Sequence, residues 1–350
     1  MKNSIFQIPR LFCLVAFIVV YQLNVNAKVI TCSNGVVAGG AYSNLQSAIN
    51  AANPGDTVYA MGSVNSYGNI TINSAITLIG AGYNTLGTQQ QLSTLVGDIY
   101  LNAATISTPG AAGAKIIGIS MINNTLNGSD TTIKNITVSR CNINTIQVRG
   151  NGWTIKDCIM YIIYLQYNPV KSCFIANSFM YYGIRDQYSG FDNGLVIDHC
   201  IIEIATYTIK YATFTNNIFF NANQSGDASN KYDTYDNNIT YYTSKDSLTQ
   251  GTNGGSKNIY NPPYNKFFAS GQYTSVGYGS ILSYDWHLLS TCPGHNASTD
   301  GTDIGVYGGA YPMNFTGAST IPQITYLNIN NAIIAPGGKL GVTFKARIQK

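Results

Sequence analysis

Apolar and polar positions alternate in short bursts along the chain, and from Val138 onward the bursts repeat. The unit is an apolar residue, two mostly polar ones, a small residue and a mostly apolar pair. It reads "VSRCNI" from Val138, "IKDCIM" from Ile155, "IANSFM" from Ile175, "IDHCII" from Ile197, "FTNNIF" from Phe214 and "YDNNIT" from Tyr235. Aligned on the small residue, the copies give Cys141, Cys158, Ser178, Cys200, Asn217 and Asn238, at spacings of 17, 20, 22, 17 and 21 residues. "IIGISM" from Ile116 is a looser copy. The first column is apolar throughout, and the last (Ile143, Met160, Met180, Ile202, Phe219, Thr240) nearly so. The second and third columns vary in charge and size, as solvent-facing positions do.

A unit of about 20 residues without room for a full helix favours a coil of short strands. The regular leucines of a leucine-rich repeat are absent, and a propeller blade needs about 40 residues. The pattern therefore predicts an all-β, single-stranded parallel β-helix, in which successive turns stack about 4.8 Å apart and like side chains lie on like. Apolar columns fill the interior. Small polar residues sit at bends, where Asn217 and Asn238 form a ladder that satisfies the turn backbone. Cys141, Cys158 and Cys200 read as small, semi-apolar substitutes in that ladder. The neighbours Asp198, His199 and Cys200 thus fall into separate columns. Cys200 belongs to the bend, and Asp198 and His199 are expected on the outside, lining a surface groove.

Three further stretches, in this order around the repeat, carry a resemblance. They are "YSNLQSAINAANPGDTVYA" (Tyr42–Ala60), "ITLIGAG" (Ile76–Gly82) and "DWHLLSTCPGHNASTDGTDIGVYG" (Asp285–Gly308). Over roughly residues 43–309 the chain resembles the right-handed parallel β-helix proteins of the pectate-lyase-like superfamily. The resemblance implies a right-handed coil, opened by a short helix that Ser43 and Gln46 cap and whose Leu45, Ile49 and Ala52 cover the end. The expected organisation is a parallel β-helix with an N-terminal cap over 28–309 and a short C-terminal β extension over 310–350. In that tail "LGVTFKARI" alternates and Pro336-Gly337-Gly338 supplies a turn.

Composition and the first residues bear on location. Lys2 and Arg10 precede the apolar run Leu11–Leu23, and "NVNA" ends at Ala27, the pattern of a cleaved signal peptide over 1–27. An uncleaved anchor is the rival reading, though the run is short for a span. Without Lys2 and Arg10 the net charge drops from +4 to about +2, too little for the basic stripe that nucleic acid requires. The mature chain is expected to be secreted or on the cell surface, with no stable membrane span. The remaining six cysteines are too few for a disulfide scaffold in this length. Cys32 and Cys292, near opposite ends of the rod, are not expected to pair.

Candidate chemistry lies where insertions interrupt the repeat, at "RDQYSGFDNG" (Arg185–Gly194) and "NANQSGDASNKYD" (Asn221–Asp233). The resemblance implies contact with a polysaccharide or cell-surface glycan. In lyases of the group, calcium held by carboxylates acts with an Arg or Lys near the α-proton of a uronate. On that basis Arg185, Asp186, Asp192 and Lys210 are the candidate catalytic residues, and Asp186, Asp192 and Asp198 the candidate calcium ligands. Charges that merely solubilise the rod are the competing reading. Tyrosine is the other excess: Tyr161, Tyr164 and Tyr167, then Tyr181, Tyr182 and Tyr188, suit stacking on sugar rings or filling the interior. His287 and His295 match no zinc spacing. Two function classes follow, a polysaccharide-binding and processing protein with lyase-like action on an acidic glycan, or a non-catalytic adhesin or structural rod.

Overall fold

The computed structural model describes residues 27–35, 40–83, 92–166, 170–187, 194–204, 208–220, 231–240, 248–249, 251–260, 262, 267–270, 277–315, 323–329 and 341–347. Of the expected leader only Ala27 falls among them. No helix of the described residues is long and apolar enough to cross a membrane.

The right-handed parallel β-helix forms as expected. Among the described residues, one sheet has ten parallel strands, from Val29–Cys32 through Lys115–Ile117, Thr137–Ser139 and Thr154–Lys156 to Thr234–Asp236. A second has eleven, ten of them in a path from Ile70–Ile72 to Ile259–Tyr260 and one, Ile184–Asp186, beside it. Its longest members bend. The first half of Ile159–Leu165 pairs with Phe179–Met180, the second half with Ile184–Asp186. The coil therefore presents three faces, joined at tight corners.

The aligned columns are physical stacks. Val138, Ile155, Ile175, Ile197, Phe214 and Tyr235 are Cα partners in consecutive strands, all buried. The rings of Phe214 and Tyr235 lie 4.7 Å apart and 3° from parallel. The bend ladder is also present and gains a rung at Asn258. The Asn217 amide donates to Asn238 Oδ1 (3.0 Å) and the Asn238 amide to Asn258 Oδ1 (3.1 Å). Each amide also reaches a main-chain carbonyl, Ile197 and Phe214 respectively. Upstream, Asn217 Oδ1 accepts from the Cys200 N–H and Ser178 Oγ from the Cys158 N–H. All six described cysteines are free and buried, Cys32 and Cys292 among them. Burial drives the Cys200 thiol well up, away from the reactive thiolate.

The third column departs from expectation. Arg140, Asp157, Asn177, His199, Asn216 and Asn237 all adopt left-handed backbone, with φ between 44° and 57°. This single left-handed residue turns the first sheet into the second, and Gly118 (φ 67°) does the same in the looser copy. The column is not a solvent face. Residues 293–315 run back along it as a strap. The Asn237 amide donates to the Ala297 carbonyl, Asn216 exchanges hydrogen bonds with Thr299, and Asn177 donates to the Val306 and Gly308 carbonyls. His199 is consequently 2% exposed, under Gly308 and Gly309, with Asp198 3.0 Å from its Nδ1. The expectation that Asp198 and His199 line an open groove is corrected for His199, because the strap covers it.

The strap also explains why the repeat ends in an apolar pair. The sixth column points inward. The fifth (Ile159, Phe179, Ile201, Ile218, Ile239) points outward and is buried with Phe267, Phe268, Trp286, Ile304 and Val306 in a second apolar cluster. A strand buried on both faces reads as continuous apolar sequence.

At the N-terminal end, helix α1 (Leu45–Asn50) buries Leu45, Ala48 and Ile49. Its cap is Asn44, whose Oδ1 accepts from the Ser47 N–H, one residue beyond the expected Ser43. Gln46 instead clamps both main-chain groups of Thr71, tying the helix to the first strand of the second sheet. At the other end, Gln323–Ile329 and Val342–Arg347 form an antiparallel pair, the expected C-terminal β extension. The strap that precedes it stays on the coil as far as Phe315.

Candidate functional site

The residues expected to act together have unlike surroundings. Ile184–Asp186 is a strand, so its side chains alternate. Arg185 is exposed beside Tyr164, whereas Asp186 lies in the interior column of Leu165 and is 3% exposed. Lys210 bridges in register to Lys231 on the next turn. Asp192 lies outside the described residues. Asp198, at the end of a first-sheet strand, accepts from Thr215 Oγ1 (2.8 Å) and the Asn216 amide (2.9 Å) and faces His199. Asp186 and Asp198 thus sit on different sheets with different surroundings, and they do not converge as a calcium pair. Among the described residues no group of three His, Cys, Asp or Glu is placed to hold a metal ion. Asp285 pairs with His287 just before the strap, and Asp303 with His295 within it, both local contacts.

A groove of about 490 Å³ opens instead between the outer face of the first sheet and the end of the strap. Its floor is three neighbouring strands. Lys115 is in register with Thr137 and Thr154, and Lys156 with Ser139 and Ile117. Its wall is Ala310, Tyr311 and Pro312. Lys156 Nζ stands 3.9 Å from the centroid of the exposed Tyr311 ring, a cation–π contact that holds both at the rim. Arg140, at the left-handed corner, places Nε 3.3 Å from Asp157 Oδ2.

Asp157 fixes the strap here. Its Oδ1 accepts from the Asn314 N–H at 2.7 Å. Burial pushes its carboxyl up to about 7, against the pull of the Asn314 N–H and the Arg140 charge. Since both oxygens are engaged, Asp157 positions the groove and is poorly placed to handle a substrate proton. The groove offers Lys115, Lys156 and Arg140 around an exposed ring, the equipment for an anionic ligand with flat apolar faces.

This site was missed in the sequence, although a signal existed. Arg140 and Lys156 occupy adjacent columns of adjacent copies, and Lys115 directly precedes the looser copy, so the repeat register alone juxtaposes them. Tyr311 carried no such signal.

Tyrosines gather on another face. Tyr161 stacks on Tyr181 (5.4 Å, 17°), touches Tyr182 and meets Tyr278 edge-on. Tyr278 donates to Asn142 Oδ1 at 2.7 Å. Tyr167 and Tyr188 lie outside the described residues. Tyr235 fills the interior, the packing use expected of tyrosine.

No family model matches the chain, and no curated protein matches its sequence. Among solved structures, a pectin methylesterase from Aspergillus niger matches at 12% identity and a TM-score of 0.29, covering 66% of this chain and 85% of that one.

Proposed function

We propose that this protein is an exported or surface-exposed binder of acidic polysaccharide, seated in the groove of Lys115, Arg140, Lys156 and Tyr311. The observation that carries the reading is the convergence of three cationic side chains with an exposed aromatic ring on the outer face of a parallel sheet. Carboxylates of a uronate polymer would pair with the lysines, and a pyranose face would lie on the tyrosine. The chain's low overall charge keeps attraction local to such a groove. Processing by β-elimination is the finer part of the proposal, with Arg185, Asp186, Asp192, Lys210 and calcium as its candidates. Binding without cleavage, as in an adhesin, is favoured by the engagement of both Asp157 oxygens within the groove.

The test is a panel of uronate and neutral polymers, scored for binding and for the ultraviolet absorbance of unsaturated products, with and without calcium. Retention of uronate polymers, weakened about tenfold or more in Lys115→Ala/Lys156→Ala, supports the groove. Unsaturated products establish the lyase, and binding without them establishes the adhesin. Equal retention of neutral and acidic polymers, untouched by the double substitution, defeats the proposal.

A further inference from the structure

A second corner of the coil, where the chain enters the first sheet, carries two local anomalies at one place. Asn135, Gly152, Ser172, Tyr211 and Tyr232 each stand two residues before an in-register outer position of that sheet, and all have φ between 56° and 76°. Left-handed backbone suits Asn and Gly, and it penalises a bulky side chain. Tyr211 and Tyr232 nonetheless occupy it, at 49% and 50% exposure, so burial offsets little of that cost. Their rings stack at 5.0 Å and 17°, presenting a flat aromatic surface to solvent.

The residue just before each corner gives the second anomaly. The same register aligns Lys134, Asn151, Lys171, Lys210 and Lys231, with only position 193, outside the described residues, between Lys171 and Lys210. Lys210 and Lys231 are direct bridge partners, and like charges opposite each other destabilise a ladder. Lys134, Lys171 and Lys231 are exposed. None of the four lysines makes an ion pair among the described residues. Positions that break local rules without a packing gain are where function is expected.

We propose that this corner is a track for an extended acidic polysaccharide lying along the rod axis, with the lysines pairing its carboxylates and the Tyr211–Tyr232 face stacking on its sugars. The inference rests on the proposed function and adds a second surface, a direction and a register. From Lys134 to Lys231 the corner spans five turns, about 24 Å at 4.8 Å each, which suits an oligosaccharide of several units. The lysines stand two, two and one turns apart, so their spacings are whole multiples of the turn height of about 4.8 Å. Duplex DNA instead spaces phosphates about 3.4 Å apart along each strand, out of step with the turns.

Tyr211→Asn/Tyr232→Asn separates this role from folding, because Asn is at ease in left-handed backbone. The double variant is expected to melt no lower than the parent, yet to bind polygalacturonate roughly tenfold more weakly. Lys210→Ala/Lys231→Ala should also keep its melting temperature, lose affinity to a similar degree, and flatten the dependence of binding on salt. Oligogalacturonates long enough to span five turns should feel both changes more than a disaccharide does. Parent-like binding by both variants, with the parent still binding, overturns the track and leaves the groove standing. Failure of the parent to bind any uronate polymer overturns both. Tighter binding of single-stranded DNA than of polygalacturonate, lost in the same variants, overturns the track as a polysaccharide site.

Discussion

Asp233 shows how a single buried residue sets the pH behaviour of the fold. Its Oδ1 accepts from the Ala212 N–H at 2.8 Å, and burial pushes its carboxyl up to about 7, against the pull of that N–H and of the Tyr235 hydroxyl. A raised carboxyl holds a proton in the folded state that the unfolded chain has already released. Stability is therefore greatest below the unfolded value near 4 and falls as pH rises towards 7, and Asp157 acts in the same direction. Asp233→Asn keeps the acceptor for Ala212 and removes the ionisation. It should be neutral in acid and stabilise by on the order of 2–4 kcal/mol at about pH 8, read from urea midpoints at both pH values. Identical midpoint shifts in acid and base would mean that Asp233 folds ionised. The bend ladder makes the opposite prediction. Asn238 is fully buried, donates to Phe214 and Asn258 and accepts from Asn217. Asn238→Ala should cost about 2–4 kcal/mol by the same measurement. Cys200→Ser should cost less than about 1.5 kcal/mol, since only a small side chain at a bend is required there. Those roles were legible in the sequence, because stacking every turn on the last makes each column repeat its residue type. Asp233 was not, because the fate of a lone carboxylate depends on which side of the strand is closed.

At the level of elements, the columns and the corners differ in how openly the sequence declares them. Interior columns and the Asn ladder are periodic and chemically uniform, so they stand out. The left-handed corner is uniform only in backbone. Arg140, Asp157 and His199 share it with Asn177, Asn216 and Asn237, and only the three asparagines and Gly118 hint at the conformation. The strap is harder still. Its contacts join residues 129 and 131 apart, such as Asn177 with Val306 and Gly308, and no periodicity marks where a segment crosses the five turns from Asn237 to Asp157. It is also why polar third-column residues can be buried, since Asp157, Asn177, Asn216 and Asn237 all bond the strap's main chain. Gly308 is the tightest point of that crossing. A Cβ there would lie 1.7 Å from the Asp303 carbonyl oxygen and 2.7 Å from His199 Cδ2. Gly308→Ala should therefore lift the strap. Proteolysis within 295–315 is expected to quicken by about tenfold or more, with a stability loss of about 2–3 kcal/mol and the coil strands still protected from hydrogen exchange. Unchanged cleavage would show that the strap can shift without leaving His199.

The whole molecule is a coil whose outside is as structured as its inside. Interior stacks alone would leave Ile159, Phe179, Ile201, Ile218 and Ile239 as an apolar stripe along the second sheet, and the strap with Trp286, Ile304 and Val306 closes it. Contiguous exposed apolar surface of that extent promotes association. By contrast, the described strands of the C-terminal extension pair only with each other, and an isolated two-stranded hairpin is marginal in water. The fold's stability should thus end where the strap ends. Truncation after Phe315 is expected to leave the melting temperature of the coil unchanged within about 2 °C. Truncation after Ser283, which removes the strap but no strand of the coil, is expected to give a protein that retains β-sheet circular dichroism yet binds hydrophobic dyes and aggregates. The groove would vanish with Tyr311, while the corner of Tyr211 and Tyr232 would not. Binding of polygalacturonate by the two truncations therefore apportions affinity between the two surfaces. A strapless coil that stays monomeric and dye-free would show that the outer stripe is covered by something other than residues 284–315.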